Sequence, residues 1–480
     1  AFAWGNAEKI YVSKNIDLLT KMKFPENTYD FKKNRVLLSH LNIELPLVKF
    51  DAMLAKYLIS TTEDNKISTI ARLFNSGHLA TDEEIFGKGT KIALPDDAVL
   101  FEHLARKIKV LAFAKEKMMA ELLENEQEHL LSDMELPLAE VLAKMEITGI
   151  AVSQNTLEEI GAENEEKLAS LTREIYDLAG EEFNINSPKQ LGVILFEKLQ
   201  LPVGKKTKTG YSTAVDVLED LAALSPVVAK ILEYRQINKV QSTYVKGLIP
   251  QITRYVQDLT QTGRLSSVDP NLQNIPVRLE EGRKIRKAFV PSKDSLLLSS
   301  DYSQIELRVL GHISGDEHLI DAFKHGADIH TSTAMRVFGI EKAEDVTAND
   351  RRNAKAVNFG VVYGISDFGL ARNLGITRKD AKNYIETYFE RYPGIKTYME
   401  NIVREARDKG FVQTMSHRRR KIPDINARNF NVRGFAERTA INSPIQGSAA
   451  DILKIAMINL DKALSARDFK SKLLLQVHDE

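Results

Sequence analysis

The chain has 480 residues, and its 66 basic and 66 acidic side chains cancel to zero net charge. The length suggests about three domains, and 43% hydrophobic against 28% charged residues excludes a disordered chain. Zero cysteines exclude disulfides and cysteine-ligated zinc, and no apolar run approaches the roughly 18 residues of a membrane span. A neutral total identifies no partner, because nucleic acid still binds where Lys and Arg gather on one face. No signal peptide, Walker A loop, GxGxxG or HExxH is present. A start at Ala1 without methionine suggests a cut chain. The expectation at this level is a soluble, cytoplasmic, multidomain protein.

Residues 1 to about 110 alternate strand-like runs ("KIYV", "RVLL") with helical stretches such as "FDAMLAKYLIS", the pattern of an α/β domain. From about 111 to 182 the pattern is helical and charged. It breaks at Gly149 before a second helix that starts near Ser153. The segment "GKKTKTGYST" is a basic loop bounded by glycines. Its Lys205, Lys206 and Lys208 either face phosphates or are simply solvated.

In "SLLLSSDYSQIELRVL" a strand over Leu296–Leu298 leads to Asp301, and a helix follows through Ile305, Leu307, Val309 and Leu310. A second strand in "KLLLQVHDE" ends on His478, Asp479 and Glu480. Taken singly, each Asp reads as a helix cap or a strand end. Taken together, in matching contexts, the two carboxylates converge if the strands are neighbours. Their repulsion then calls for a divalent cation such as Mg²⁺. Between them lies "NDRRNAKAVNFGVVYG", in which Arg351, Lys355, Phe359 and Tyr363 recur every four residues and so share a slowly drifting helical stripe. Two cations followed by two aromatics suit a triphosphate and a base. A generic amphipathic helix with solvated cations is the alternative. Asp350 suits the first turn of this helix and Gly364 its end.

At these residues the sequence resembles the large fragment of the bacterial family A DNA polymerases, of a Bacillus-like, Gram-positive type. "DYSQIELR" resembles the family's motif A, "RRNAKAVNFGVVYG" its motif B and "QVHDE" its motif C. "TQTGRLSSVDPNLQNIP" resembles its primer-contacting segment, and "NSPIQGSAAD" its template-side segment. The resemblance covers nearly the whole chain. It implies a multidomain α/β and α+β fold, with an exonuclease-like α/β domain before a right hand of thumb, palm and fingers. The implied limits are 1–110 for a vestigial 3′–5′ exonuclease-like domain, 111–144 for connecting helices and 145–250 for the thumb. The palm would take 255–304 and 444–480, and the fingers 305–443.

The implied partners are primer-template DNA and dNTPs, without a membrane; the chain would act as a monomer in the bacterial cytoplasm, with the nucleoid. Asp301 and Asp479 would hold two Mg²⁺ ions, with the Tyr302 carbonyl as a further ligand and Glu480 in support. Arg351, Lys355 and His330 would contact the triphosphate, and Lys355 would also assist the chemistry. Gln304 would join the nucleotide site, Phe359 would stack on the incoming nucleotide, and Tyr363 would stand at the template-base position. Glu306 would be the steric gate against a ribose 2′-hydroxyl. Arg264, Arg438, Asn442, Gln446 and His478 would contact DNA near the primer terminus, where minor-groove acceptors recur in every base pair. Phe rather than Tyr at 359 implies discrimination against dideoxynucleotides.

Several departures from the family pattern set further expectations. Only Asp51 matches an exonuclease metal position, "DFKKN" puts Asp30 and Asn34 where the active family has Asn and Asp, and "LFEHLARKIKVLA" lacks the Tyr-x-x-x-Asp of an active site. No 3′–5′ excision is therefore expected, nor any flap cleavage without a 5′-nuclease domain. The segment around 252–254 is shorter than the family pattern, and motif C is not followed by the strand and helix that back it. A DNA-binding fragment without turnover is thus an alternative. A single-subunit RNA polymerase is another, opposed by Glu306 and the exonuclease-like domain.

Overall fold

Alternation of strand and helix at the N-terminus is present in the structure, a computed structural model that describes residues 1–204, 206–207, 210–248, 254–276 and 280–480. Phe2–Gly5 and Ile10–Ser13 form an antiparallel hairpin in which Trp4 faces Tyr11. The rings of Phe2, Trp4 and Tyr11 stack with successive centroids 5.3 Å apart. The "RVLL" run is not a strand as expected. It lies in the helix Phe31–Ser39, whose N-terminus is capped by Asp30 accepting from the Lys33 amide. Cap geometry outweighs the β preference of a short apolar run.

Asn27–Thr28 pairs in parallel with Phe50–Asp51, which feeds directly into the helix Ala52–Ile59. At that junction Asp51, 1% exposed, accepts the amides of Asp30 (3.1 Å), Phe31 (2.6 Å), Met53 (2.8 Å) and Leu54 (3.4 Å). Burial still outweighs these bonds and pushes its carboxyl up to about 7. A carboxyl that holds its proton more tightly in the folded chain stabilises that chain fully at low pH and loses the contribution as pH rises. Stability should therefore fall between about pH 4 and 7, by about 4 kcal/mol at most. Asp51→Asn should start less stable, because its amide meets an N–H donor, but should lack that slope in denaturant titrations across the range.

Two compact units divide the chain. One comprises Ala1–Ile147, Val256–Ser266 and Ser300–Glu480. Its C-terminal core gathers Leu307, Val357, Leu370, Tyr388, Ile395 and Ile445 from successive helices. The 37-residue helix Phe430–Ala466 runs along it and contains Pro444. A charged cluster is sealed in the same unit. Glu135, 0% exposed, accepts from Arg418 Nη2 at 2.5 Å and Lys454 Nζ at 2.7 Å, and also from Gln257. Asp451 accepts from Arg418 Nε at 2.9 Å and the Thr414 hydroxyl at 2.7 Å.

The other unit comprises Thr148–Tyr255 and Ser267–Ser299. Gly149 takes φ +65°, and Ser153 caps the helix Gln154–Ala179, so the break and restart fall where the sequence placed them. That helix packs on Pro226–Lys239, with Ile175, Leu191, Leu195, Leu218, Val228 and Ile231 buried. Lys206–Thr207 and Gly210–Tyr211 form a two-strand hairpin where the sequence suggested a loop.

Neither apolar run before the acidic motifs forms a strand. Leu296 and Leu298 are 92% and 95% exposed, and residues 471–477 form no ladder. Every sheet among the described residues has two strands. An isolated extended segment gains no ladder bonds, so apolar composition alone does not make it a strand. No helix among the described residues is long and apolar enough to cross a membrane.

Candidate active site

Asp301 and Asp479 meet through a backbone link: the Tyr302 N–H donates to the Asp479 carbonyl at 3.1 Å. Residues 477–480 close on themselves, with Val477 and Glu480 exchanging amide–carbonyl bonds of 2.9 and 3.0 Å. Asp301 is exposed and Asp479 half-buried. The Asp479 carboxyl is pushed above its ordinary range by burial and further by the Asp301 charge, against the pull of Arg264 and His478. No set of three or more His, Asp or Glu side chains converges among the described residues. Two repelling carboxylates beside main-chain carbonyls fit a hard cation that keeps several waters, such as Mg²⁺.

The expected motif B helix spans Ala348–Val362. Thr347 and Asp350 form a reciprocal capping box at its start, and Gly364 turns the chain at φ +65° after its end. Its stripe is continuous from Lys355 to Tyr363. Lys355 Nζ stands 5.9 Å from the Phe359 ring centre, and the Phe359 and Tyr363 rings stack at 6.3 Å, 19° apart. Tyr363 itself lies one residue past the helix. At the other end Arg351 is held by Asp328, through Nε at 2.6 Å and Nη2 at 3.2 Å. Partial burial would raise Asp328, yet the Arg351 and Thr331 hydrogen bonds hold it down to about 2. His330 is buried, shares a 3.0 Å contact with Asn358 and lies 6.0 Å from the Phe359 ring. Burial, with the Arg351 and Lys355 charges, keeps its imidazole below the usual range against the pull of Asp328. His330 is thus neutral near pH 7.

A second cluster centres on Glu306, in the first turn of the helix Ile305–Ser314 and only 6% exposed. Its two oxygens accept from Arg264 Nη2 and from the Tyr363 hydroxyl. Burial and the Glu306 bond push the Tyr363 phenol upward. Arg438, Asn442 and Gln446 recur every four residues on the long helix and so share a face. Gln446 also hydrogen-bonds near the Tyr363 hydroxyl. Arg438 lies so close to Gly364 that an added Cβ would come 2.8 Å from its Cγ. The side-chain oxygens of Gln304 and Asn442 are buried without a hydrogen-bond partner among the described residues, a state that buried acceptors rarely keep without a ligand or water.

Of the three expected lysines, Lys205 and Lys208 lie outside the described residues; Lys206 opens the short hairpin. Sequence reasoning names His330 but misses Asp328, two residues before it. It also misses Arg418, which reads as one of a solvated basic run in "SHRRRK" yet is buried between two carboxylates.

The model of the family described as DNA polymerase family A matches residues 154–480. The chain belongs to DNA polymerase family A. A second model, DNA polymerase I, ribonuclease H-like domain, matches residues 1–113. The chain is 98% identical over 487 residues to a DNA polymerase I of Lactococcus lactis, covering 100% of this chain and 56% of that protein. It is 66% identical to a DNA polymerase I of Streptococcus pneumoniae, covering 100% and 57%. The chain thus spans just over half the length of the curated relatives it matches. Among solved structures it resembles the POL domain of Pol1 from M. smegmatis in complex with DNA primer-template and dNTP. There the TM-score is 0.87 at 36% identity, over 96% of this chain and 80% of that one. The family A resemblance read from the motifs, its Gram-positive affinity and the exonuclease-plus-polymerase fold class are borne out.

Proposed function

We propose that this chain extends a DNA primer on a template, using dNTPs. The observation that carries the reading is one unit that holds two repelling carboxylates, Asp301 and Asp479, together with the cation–aromatic stripe Arg351–Lys355–Phe359–Tyr363. Family membership and the likeness to a polymerase with primer-template and dNTP support it. In the reaction the primer 3′-oxygen bonds to the α-phosphorus, the bond to the bridging oxygen breaks, and pyrophosphate leaves. Asp301, Asp479 and the Tyr302 carbonyl would hold two Mg²⁺ ions, with Glu480 beside them; the ions supply acidification of the 3′-hydroxyl and charge for the leaving group.

The remaining work falls to the chain's own side chains. Arg351 and Lys355 bring positive charge to the triphosphate as the leaving group grows more negative. Neutral His330 offers it a hydrogen bond, and Gln304 joins the nucleotide site, where its unpartnered side-chain oxygen suits a donor on the nucleoside rather than the phosphates. Phe359 stacks on the incoming nucleotide while Tyr363 bounds the template-base position. Glu306 stands against a sugar 2′-hydroxyl. Arg264, Arg438, Asn442, Gln446 and His478 line the primer terminus, and Lys205, Lys206 and Lys208 meet duplex phosphates. Residues 145–250 serve as the thumb, 255–304 and 444–480 as the palm and 305–443 as the fingers, and a single chain supplies the whole site, as a monomer.

Primer extension with Mg²⁺ and dNTPs tests this reading. Template-directed products support it, and a preference for rNTPs would favour the RNA polymerase alternative. The absence, among the described residues, of paired strands before Asp301 and Asp479 keeps one further reading in play, a DNA-binding chain without turnover. It would show steeply salt-dependent primer-template binding and no products.

The exonuclease-like part is read as inactive. Asp51 spends its oxygens on four amides, Asp30 caps a helix, and Asn34 donates to Thr28 and Tyr29. A mismatched primer should therefore remain uncut. Metal-dependent excision that persists in Asp301→Ala would overturn this assignment.

A further inference from the structure

The carboxylate of Glu306 is fixed by a chain of contacts that begins far away in sequence, in the exonuclease-like part. Tyr57, on the helix Ala52–Ile59, is 1% exposed. Its hydroxyl donates to the Thr260 carbonyl at 2.7 Å. The Thr260 hydroxyl in turn donates to the Arg264 carbonyl at 2.6 Å, closing the tight turn between them. Arg264 then reaches Glu306, which also receives the Tyr363 hydroxyl.

The turn is held from beneath as well. Gly263, at φ +84°, lies so close to Arg418 that a Cβ there would come 2.7 Å from Nε. Arg418 is clamped by Glu135 and Asp451, and its guanidinium lies 6.0 Å from the ring centre of Tyr57. Tyr57 therefore touches both supports of the turn, one through its hydroxyl and one through its ring. Nearby, Asn65 donates at 2.9 Å to both the carbonyl and the carboxylate of Asp258. The segment that carries Arg264 is mounted on the exonuclease-like part rather than floating over the site. A side chain locked by packing and supporting hydrogen bonds keeps a reactive group within the small tolerance that selectivity requires.

We propose that Tyr57 is a positioning residue for sugar selection: by seating the Thr260–Arg264 turn it sets the Glu306 carboxylate against the sugar of the incoming nucleotide. The proposal rests on the reading of Glu306 as the gate. It gives the exonuclease-like part a role in polymerisation that needs no nuclease chemistry.

The test measures kcat/KM for a dNTP and its matching rNTP on one primer-template, with thermal stability and primer-template Kd recorded for each variant. Glu306→Ala is the control for the gate and should admit ribonucleotides. Tyr57→Phe deletes only the hydroxyl and should relax the dNTP-to-rNTP ratio about fivefold, the scale of one lost buried hydrogen bond. Thr260→Val should do the same, and Thr260→Ser, which keeps the donor, should retain the wild-type ratio. Because the turn carries Arg264, a proposed primer contact, any change in primer-template Kd acts on dNTP and rNTP alike and leaves their ratio as the readout. If Glu306→Ala relaxes selection while Tyr57→Phe and Thr260→Val keep the wild-type ratio, the positioning role is overturned. A wild-type ratio in Glu306→Ala would instead remove the gate itself. Should Tyr57→Phe fold poorly, the Thr260→Val and Thr260→Ser pair separates the same two outcomes without it.

Discussion

Glu135→Ala will lower the unfolding free energy of the unit that holds it by about 3–5 kcal/mol, the usual cost of breaking a buried ion pair from one side. Glu135 is fully buried, and its oxygens receive Arg418, Lys454 and Gln257. With Asp451 the cluster contains two carboxylates and two cations, so removing one anion leaves an uncompensated positive charge in a buried site. The second cation cannot retreat to solvent: Lys454 is 1% exposed and Arg418 6%. Burial alone would raise the Glu135 carboxyl, yet the Lys454 and Arg418 charges hold it down to about 2. A depressed folded value means stability that is full above the ordinary carboxyl range and lost as pH falls toward 2. The urea midpoint of Glu135→Ala should fall at unchanged slope. Lys454→Met should restore part of the loss in that background, because the orphaned cation goes with it. A change under about 1 kcal/mol would mean that the cluster hydrates on mutation, against its burial.

The largest effect on activity belongs to the two acidic motifs. Asp301→Ala and Asp479→Ala should each reduce primer extension by on the order of 10³-fold, since several kcal/mol of charge stabilisation depend on the cation they would hold. Primer-template affinity should survive in both, because neither side chain is a DNA contact in the proposed site. Asp479 is the more informative of the pair. Its carboxyl already feels both burial and Asp301, so Asp479→Asn also removes a repulsion and should raise folding stability slightly while abolishing synthesis. Extension that persists in either alanine variant would mean that the reacting metal is held elsewhere.

The contrast between local and long-range information explains what could be read from sequence. Thr347, Asp350 and Gly364 bracket a helix through bonds made within a few residues, and the Ala348–Val362 helix follows that grammar. Gly149 and Ser153 do the same for the next unit. The four-residue stripe from Arg351 to Tyr363 is likewise a property of helical pitch, and its ring and cation contacts are present. Pairing between distant segments has no such local signature. Leu296–Leu298 has the composition of a strand yet lies exposed, because a ladder depends on a partner that composition does not specify. The basic run at 418–420 misleads for the same reason. Three successive arginines look solvated until the fold brings Glu135 and Asp451 to the first of them. Asp328 is equally invisible, since its partner Arg351 lies on another helix.

If the exonuclease-like part is inactive as proposed, the amide cage around Asp51 bears on any attempt to build 3′–5′ excision there. A cation recruited to that carboxylate would compete with N–H groups at the starts of two helices, Phe31–Ser39 and Ala52–Ile59. Grafting acids back into the neighbouring positions would add ligands without releasing the one already present, because amides at a rigid helix start depend on a cap for their acceptor. On that reading nuclease chemistry there is a backbone redesign problem, in which substitute caps must be installed before the carboxylate becomes available.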